Sequence, residues 1–463
     1  MIDRILRQHP VVRSVRIVLM QRGPIVSGQQ ELEKGKPNGA DRQSSKSNQA
    51  SSRVSALLSR FGPAMMMAAT AVGVSHLVFS TQTGANYGFS LVWLIALIVI
   101  IKYPAFRFAV DYASATGQSL VTAYSKISRL ALVWLAVGFF VDMFIATSII
   151  SLVTAGLIIS VFNIPFSAPQ VAVGLMVVSA AVLMNGQYAR AEKIVKILVL
   201  VFSVLAIAAT LFALPLLGSD DRELFATLTP DRSLAIFVIA LAGWMPMPTN
   251  GAILYSKWVC ERQKIDPENF DYRRALSDFR IGYSLTLVLA LCFVAMGTAV
   301  LFDTGRQMPA TPDAYATELF GIFTSVIGTW SYPVIAAAGI AVIWSTQIAL
   351  MDALPRVTDR LVGILSGRPA DAPTRYTRFL MVQVVGVSIV LLFLMGGFTK
   401  FLYFATSTGF IAGPAIVYYN YRAITSNDVA PEYRPGARLV MWNWISVVVQ
   451  IGFAIAFLWI SLG

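Results

Sequence analysis

Charge is what this chain has least of. Asp, Glu, Lys and Arg make up 13% of its 463 residues, about half the ~25% usual in a soluble domain. With 56% of residues hydrophobic, a water-soluble globule would be left with more apolar surface than it could bury, so that class is excluded. Cysteine is nearly missing: Cys260 and Cys292 stand alone, too few for a disulfide framework or a cysteine metal motif. Histidine is limited to His9 and His76. No Gly-x-x-x-x-Gly-Lys-[Ser/Thr] loop occurs, which removes ATP as an energy source within the chain. No Ser/His/Asp, paired-carboxylate or His-rich constellation converges in any loop, so the chain reads as a non-enzyme with no cofactor.

Long apolar runs are what it has instead, many near the ~20 residues that cross a bilayer core. Eleven fall at about 62–87, 89–110, 131–160, 168–185, 194–216, 233–257, 280–302, 320–353, 378–397, 400–421 and 438–461; we refer to them as spans 1 to 11. With the N-terminus inside, thirty-two of the thirty-six Lys and Arg lie on the inner face. The outer face keeps Arg222, Arg232, Arg306 and Lys400. This is the positive-inside bias of a polytopic protein in an inner or plasma membrane. It accounts for the net charge of +12 through anionic lipid, without nucleic acid.

Two units follow. Residues 1–60 form a basic cytoplasmic tail, with the Arg-spaced stretch Arg4 to Arg22 either solvated or lying on the membrane face. Within it, the polar stretch from Ser27 to Ser52 is a disordered linker. Residues 61–463 form one transmembrane domain.

Two spans are interrupted by residues that cannot continue a helix: span 1 near Gly73-Val74-Ser75-His76, and span 6 at Met245-Pro246-Met247-Pro248-Thr249-Asn250. Unwound backbone survives in lipid only where protein buries it or where it lines a cavity. Paired broken helices in two halves point to a transporter's substrate site. His76, an ionisable group inside a span, is a ligand or proton carrier by this reading; the bland alternative is a core histidine bonded to a carbonyl. Asp142, mid-span in span 3, is a proton-relay or cation-path residue or else a structural bond to a neighbouring helix. Asp352, near the inner end of span 8, reads as structural.

The residues after the first break, Gln82-Thr83-Gly84-Ala85-Asn86-Tyr87-Gly88-Phe89, resemble the stretch that follows the Asp-Pro-Gly-Asn signature of Nramp-type divalent-metal transporters. Ala115-Thr116-Gly117-Gln118-Ser119-Leu120 resembles that family's turn after helix 2. Val161-Phe162-Asn163-Ile164-Pro165 resembles its exit from helix 3, and Ala242-Gly243 leading into Met247-Pro248-Thr249-Asn250 resembles its Met-Pro-His-Asn break. The likeness extends over about residues 60–461. It implies an all-α membrane protein of the LeuT-like fold, with helices 1–5 and 6–10 as inverted repeats, helices 1 and 6 broken, and an eleventh helix added. It also implies a divalent cation as cargo, held between the breaks and driven by protons through alternating access.

The chain departs from that pattern where the metal would sit. The family's Asp-Pro-Gly-Asn falls on Gly73-Val74-Ser75-His76, and its helix 6 His falls on Thr249. Carried onto these positions, the resemblance points to a substrate site of Gly73, Ser75, His76, Met247, Thr249 and Asn250, with His76, Met247 and Asn250 as the metal donors; as ionisable residues inside spans, His76 and Asp142 are read as the proton path. Imidazole and thioether donors suit borderline ions better than calcium or magnesium. Two other readings stand beside this one: a carrier of a small non-metal solute, and a non-transporting membrane sensor that signals through its tail.

Overall fold

Why the chain folds as it does is clearest at the places where helices must stop. The computed structural model describes residues 73–185, 188–218, 223–265, 267–268, 270–304, 309–367 and 373–462. The tail expected over 1–60 and the start of span 1 lie outside the described residues. Span 1 continues from a wide π-helical turn, Ser75–Ser80, into α1 (Thr81–Tyr87). It is followed by α2 (Val92–Thr116), a short α3 (Leu120–Ile127), α4 (Arg129–Phe162), α5 (Ala168–Met184) and α6 (Tyr188–Ala213). Span 6 is divided into α7 (Arg232–Trp244) and α8 (Gly251–Ile265). After it come α9 (Tyr272–Val300), α10 (Pro312–Ile327), α11 (Tyr332–Leu365), α12 (Pro373–Ile389), α13 (Phe398–Ser407), α14 (Gly409–Ile424) and α15 (Ala437–Leu462). Among the described residues the extended pairing is one isolated bridge, Gly88 with Phe225.

Eight helical segments among the described residues are long and apolar enough to cross a bilayer; α5 and α7 are shorter apolar helices. Large apolar side chains such as Leu130, Phe393, Val448 and Trp459 stay exposed on their outer faces, as lipid-facing positions should. Span 8 departs from its expected limits. The apolar run from 320 to 353 is cut at Gly328, whose φ of +110° only glycine adopts easily. Thr329–Ser331 make one tight turn, and the crossing helix is α11. The stretch before it, expected as an outer loop, is in its second half the helix α10. Its Tyr315 hydroxyl donates to the carbonyls of Val78 (3.0 Å) and Leu77 (3.3 Å), which lie in the wide turn of span 1.

Lipid offers no hydrophobic drive between helices, so close packing depends on small residues. Gly84 of α1 lies directly against the backbone of Val294 and Thr298 in α9, and Gly297 of α9 against that of Thr81. Gly243 of α7 meets the backbone of Thr406 in α13. A side chain at any of these would push two backbones apart. Gly174, by contrast, is exposed and faces open space. Gly84→Val and Gly297→Val are expected to lose about 1–3 kcal/mol of stability, as overpacked cores do, while Gly174→Val stays near wild type. Unfolding midpoints of the purified variants in one detergent check this, and equal midpoints for all three would refute the packing account.

Candidate functional site

The break in span 6 is made by two prolines. The helical ladder of α7 ends where the Met245 N–H donates to the Leu241 carbonyl (3.0 Å), and α8 begins with tight turns in which Gly251, Ala252 and Ile253 donate to Pro248, Thr249 and Asn250. Pro246 and Pro248 have no N–H to give. The carbonyls between therefore need partners from elsewhere. One partner comes from span 1, which is helical and not unwound from Val74 to Tyr87: the Ser75 hydroxyl lies 3.2 Å from the Pro246 carbonyl, tying the wide turn of span 1 to the break in span 6. The wide turn that carries Ser75 is of a kind found often at functional sites.

Beside this junction is an open cavity of ≈ 790 Å³ counted to its mouth, with Gly73, Ser75, Asp142, Met247 and Asn250 on its wall. Asp142 of α4 reaches across so that the Asn250 side-chain amide donates to its carboxylate. Asn250 stands just before α8, whose N-terminal dipole end favours a negative charge there. The thioether of Met247 lies over Gly251, which leaves it room that a larger residue would take. Thr346 of α11 adds a hydroxyl to the wall; Phe139, Trp244 and Trp258 add aromatic rings to a remainder that is mostly aliphatic.

Two of the expected residues are placed elsewhere. His76 is fully buried, with Nε2 donating to the Thr286 carbonyl of α9 (2.9 Å) and Nδ1 2.9 Å from the Ser75 hydroxyl. It stands behind the wall, not in it, because the wide turn directs it toward α9. Thr249 points toward α15, where its hydroxyl donates to the Gln450 side chain (3.2 Å). So Gly73, Ser75, Met247, Asn250 and Asp142 come together, while His76 touches the cavity only through Ser75. Asp352 makes an inner-end network, accepting from Arg356 and Tyr376 (2.8 Å each).

Lys102 is a functional candidate that sequence reasoning missed. Grouped above with the inner-face cations, it is buried within α2 beside the span 6 break. Removing it from the thirty-two leaves thirty-one against four, so the charge bias survives. Its ammonium donates to the carbonyls of Gly243 (2.8 Å) and Met247 (3.3 Å). The signal was available: a lysine inside an apolar run is costly in a membrane and so reads as functional.

Comparison with known proteins gives consistent findings. A profile for the family described as Nramp, natural resistance-associated macrophage protein-like, matches residues 64–460. An uncharacterised protein of Pasteurella multocida is 26% identical over 403 residues, 86% of this chain and 91% of that one. The divalent metal cation transporter MntH of Chromohalobacter salexigens is 22% identical over 335 residues, 66% of this chain and 76% of its own. Among solved structures, a mutant of the Eremococcus coleocola manganese transporter superposes with a TM-score of 0.63 at 14% identity, over 86% of this chain and 85% of that one. MhsT in complex with L-phenylalanine superposes with a TM-score of 0.57 at 16% identity, over 88% and 98%. At these identities the structural matches establish the fold, which is the LeuT-like one.

The placement of side chains is open to a labelling test. In a background with Cys260 and Cys292 replaced by serine, Ser75→Cys, Met247→Cys and Asn250→Cys are expected to react with a water-soluble thiol reagent. His76→Cys and Thr249→Cys should react at least ~10-fold more slowly, since reactivity follows access. Equal rates at all five would refute the assignment of the cavity wall.

Proposed function

The chain belongs to the Nramp family and is an integral membrane transport protein; from that premise we propose that it carries a divalent metal cation by alternating access. The observation that supports this reading is the Asp142–Asn250 pair beside Met247, where the wide turn of span 1 meets the break in span 6. A divalent ion in low dielectric needs countercharge or many dipoles in place of its water. The negative charge that span 1 lacks at Gly73 is supplied here from α4 by Asp142.

The donor set of the proposal is a carboxylate, an amide oxygen and a thioether, with the Ser75 hydroxyl at hand. As cargo, a borderline ion of the manganese-to-zinc series fits this set better than magnesium or calcium. Cation entry requires one local change. Asn250 now presents its NH₂ to Asp142, and turning the amide over presents its carbonyl oxygen instead. Asp142 thereby exchanges a hydrogen-bond donor for the cation.

Proton coupling belongs to the same proposal. The Ser75 hydroxyl has one proton and two neighbouring acceptors, His76 Nδ1 and the Pro246 carbonyl. With His76 neutral and Nε2–H on Thr286, Nδ1 can accept that proton. When His76 is protonated, Nδ1–H donates to Ser75, and the hydroxyl is released to bond Pro246. Protonation of His76 thus strengthens the tie between the wide turn of span 1 and the break in span 6. The thirty-one basic residues on one face support an N-terminus in the cytoplasm.

A second reading has its own observation. Phe139, Trp244 and Trp258 give the cavity apolar walls, as an organic solute would require.

Calorimetric titration of the purified protein with manganese, zinc, nickel, magnesium and calcium separates the two readings. Saturable binding of a borderline ion is expected, weakened at least ~10-fold in Asp142→Asn by loss of a charged ligand. In Met247→Ala the preference over calcium should narrow. No binding of any divalent ion, together with uptake indifferent to a chelator, would overturn the metal assignment in favour of an organic solute. For the coupling, His76→Gln is expected to keep cargo binding while its uptake into proteoliposomes no longer varies with pH. An unchanged pH profile would remove His76 from the proton path.

A further inference from the structure

The Lys102 ammonium is a cation buried at an unusual place. Its residue is 1% exposed, on a helix whose outer faces meet lipid. Taking an ammonium out of water is costly unless dipoles replace its hydration shell. Two of the dipoles that replace it are main-chain carbonyls: Gly243, in the last turn of α7, at 2.8 Å, and Met247, inside the break, at 3.3 Å. These two carbonyls bracket Trp244, Met245 and Pro246. Main-chain carbonyls freed from a helix and turned toward a cation are the chemistry by which channels replace the water of a potassium ion. Unwound carbonyls in transporters coordinate ions in the same way.

We propose that the carbonyls of Gly243 and Met247 form part of a monovalent-cation site of potassium-like size, which the chain fills with its own Lys102 ammonium. Ammonium and potassium ions are close in radius and both bind through several neutral oxygens, so one can stand for the other. Neutral carbonyls favour a single charge, because they bring no anion to offset a second. Tethering the cation to α2 has two consequences. The break of span 6 keeps its shape without an inorganic ion, and α2 is strapped to the end of α7 and to the middle of the break, so these are held together. The inference stands whatever the cargo of the neighbouring cavity is.

The alternative is an ordinary strap, in which Lys102 merely donates hydrogen bonds and no ion could take its place. Salt-specific rescue separates the two. The full-length protein and Lys102→Ala are purified in choline chloride, and unfolding midpoints are followed as choline is exchanged for potassium, ammonium, sodium or lithium at constant ionic strength. Lys102→Ala is expected to unfold earlier than wild type in choline. It should then recover at least ~2 °C, saturably, with potassium or ammonium, and less with sodium and least with lithium. Wild type should show no difference among the salts. Lys102→Gln, whose amide fills the space without charge, should be destabilised and show no rescue.

Several outcomes would overturn the proposal. They are a Lys102→Ala midpoint that responds to potassium no more than to choline, a variant as stable as wild type in every salt, and failure to fold in all salts including potassium. Folding of Lys102→Ala in potassium but not in choline would support it.

Discussion

The rest of the molecule depends on one constraint: a carbonyl freed from a helix inside a membrane must find another partner, since lipid supplies none. Pro246 and Pro248 free several at once. Their partners come from three different parts of the chain. Ser75 reaches the Pro246 carbonyl from span 1, Lys102 takes those of Gly243 and Met247 from α2, and the tight turns entering α8 use Pro248, Thr249 and Asn250. Tyr315, from α10, does the same for the wide turn of span 1. Elements far apart in sequence are drawn to the bilayer middle by this need, and the cavity is what remains between them.

That arrangement makes the site's electrostatics a matter of where partners come from, not only of which residues occupy the breaks. The sequence departs from its family at Gly73, where a carboxylate is missing, and the loss looks decisive while span 1 is considered alone. Asp142 changes the account. It stands on α4, bonded to Asn250 at the entrance to α8, so a negative charge faces the same cavity from a different wall. A helix N-terminus is a suitable place to hold it. In the proposed carrier, placing the charge on a different wall keeps an acid beside the cavity while changing which helix brings it to the ion.

Much of this was legible in the chain itself. The break in span 6 announces itself through the paired prolines; at Gly73-Val74-Ser75, where an interruption was expected, the described residues form a wide helical turn that continues into α1. His76 is conspicuous as an ionisable group in a span, but its direction is not: a wide turn resets the helical phase, and the side chain falls on the α9 side. Thr249 turns to Gln450 for a similar reason, since the unwound segment follows no helical period. Lys102 was misplaced because it was counted with the basic residues of the loop that follows span 2, although it stands inside that apolar run. The break at Gly328 lies inside unbroken apolar sequence, and hydropathy alone cannot register a left-handed glycine. The Asp142–Asn250 bond joins residues 108 apart, a pairing that no local pattern encodes.

The segment from Gly243 to Asn250 therefore lies between charges of opposite sign. Lys102 holds its carbonyls on one side, and Asp142 holds the Asn250 amide on the other. Met247 belongs to both environments, its carbonyl with the lysine and its side chain on the cavity wall. A cation arriving at the proposed site is attracted on the Asp142 side and repelled from the Lys102 side. Asp142 can offset one charge of a divalent ion. The remainder must be spread over dipoles and a polarisable sulfur, and that requirement favours ions which bind thioether and amide well over those that demand several carboxylates. Exchanging Asn250 from donor to acceptor is then the smallest rearrangement that admits the ion. Because Asn250 opens α8 while the Met247 carbonyl is strapped through Lys102 to α2, this rearrangement would fall within the segment that Lys102 holds to α2.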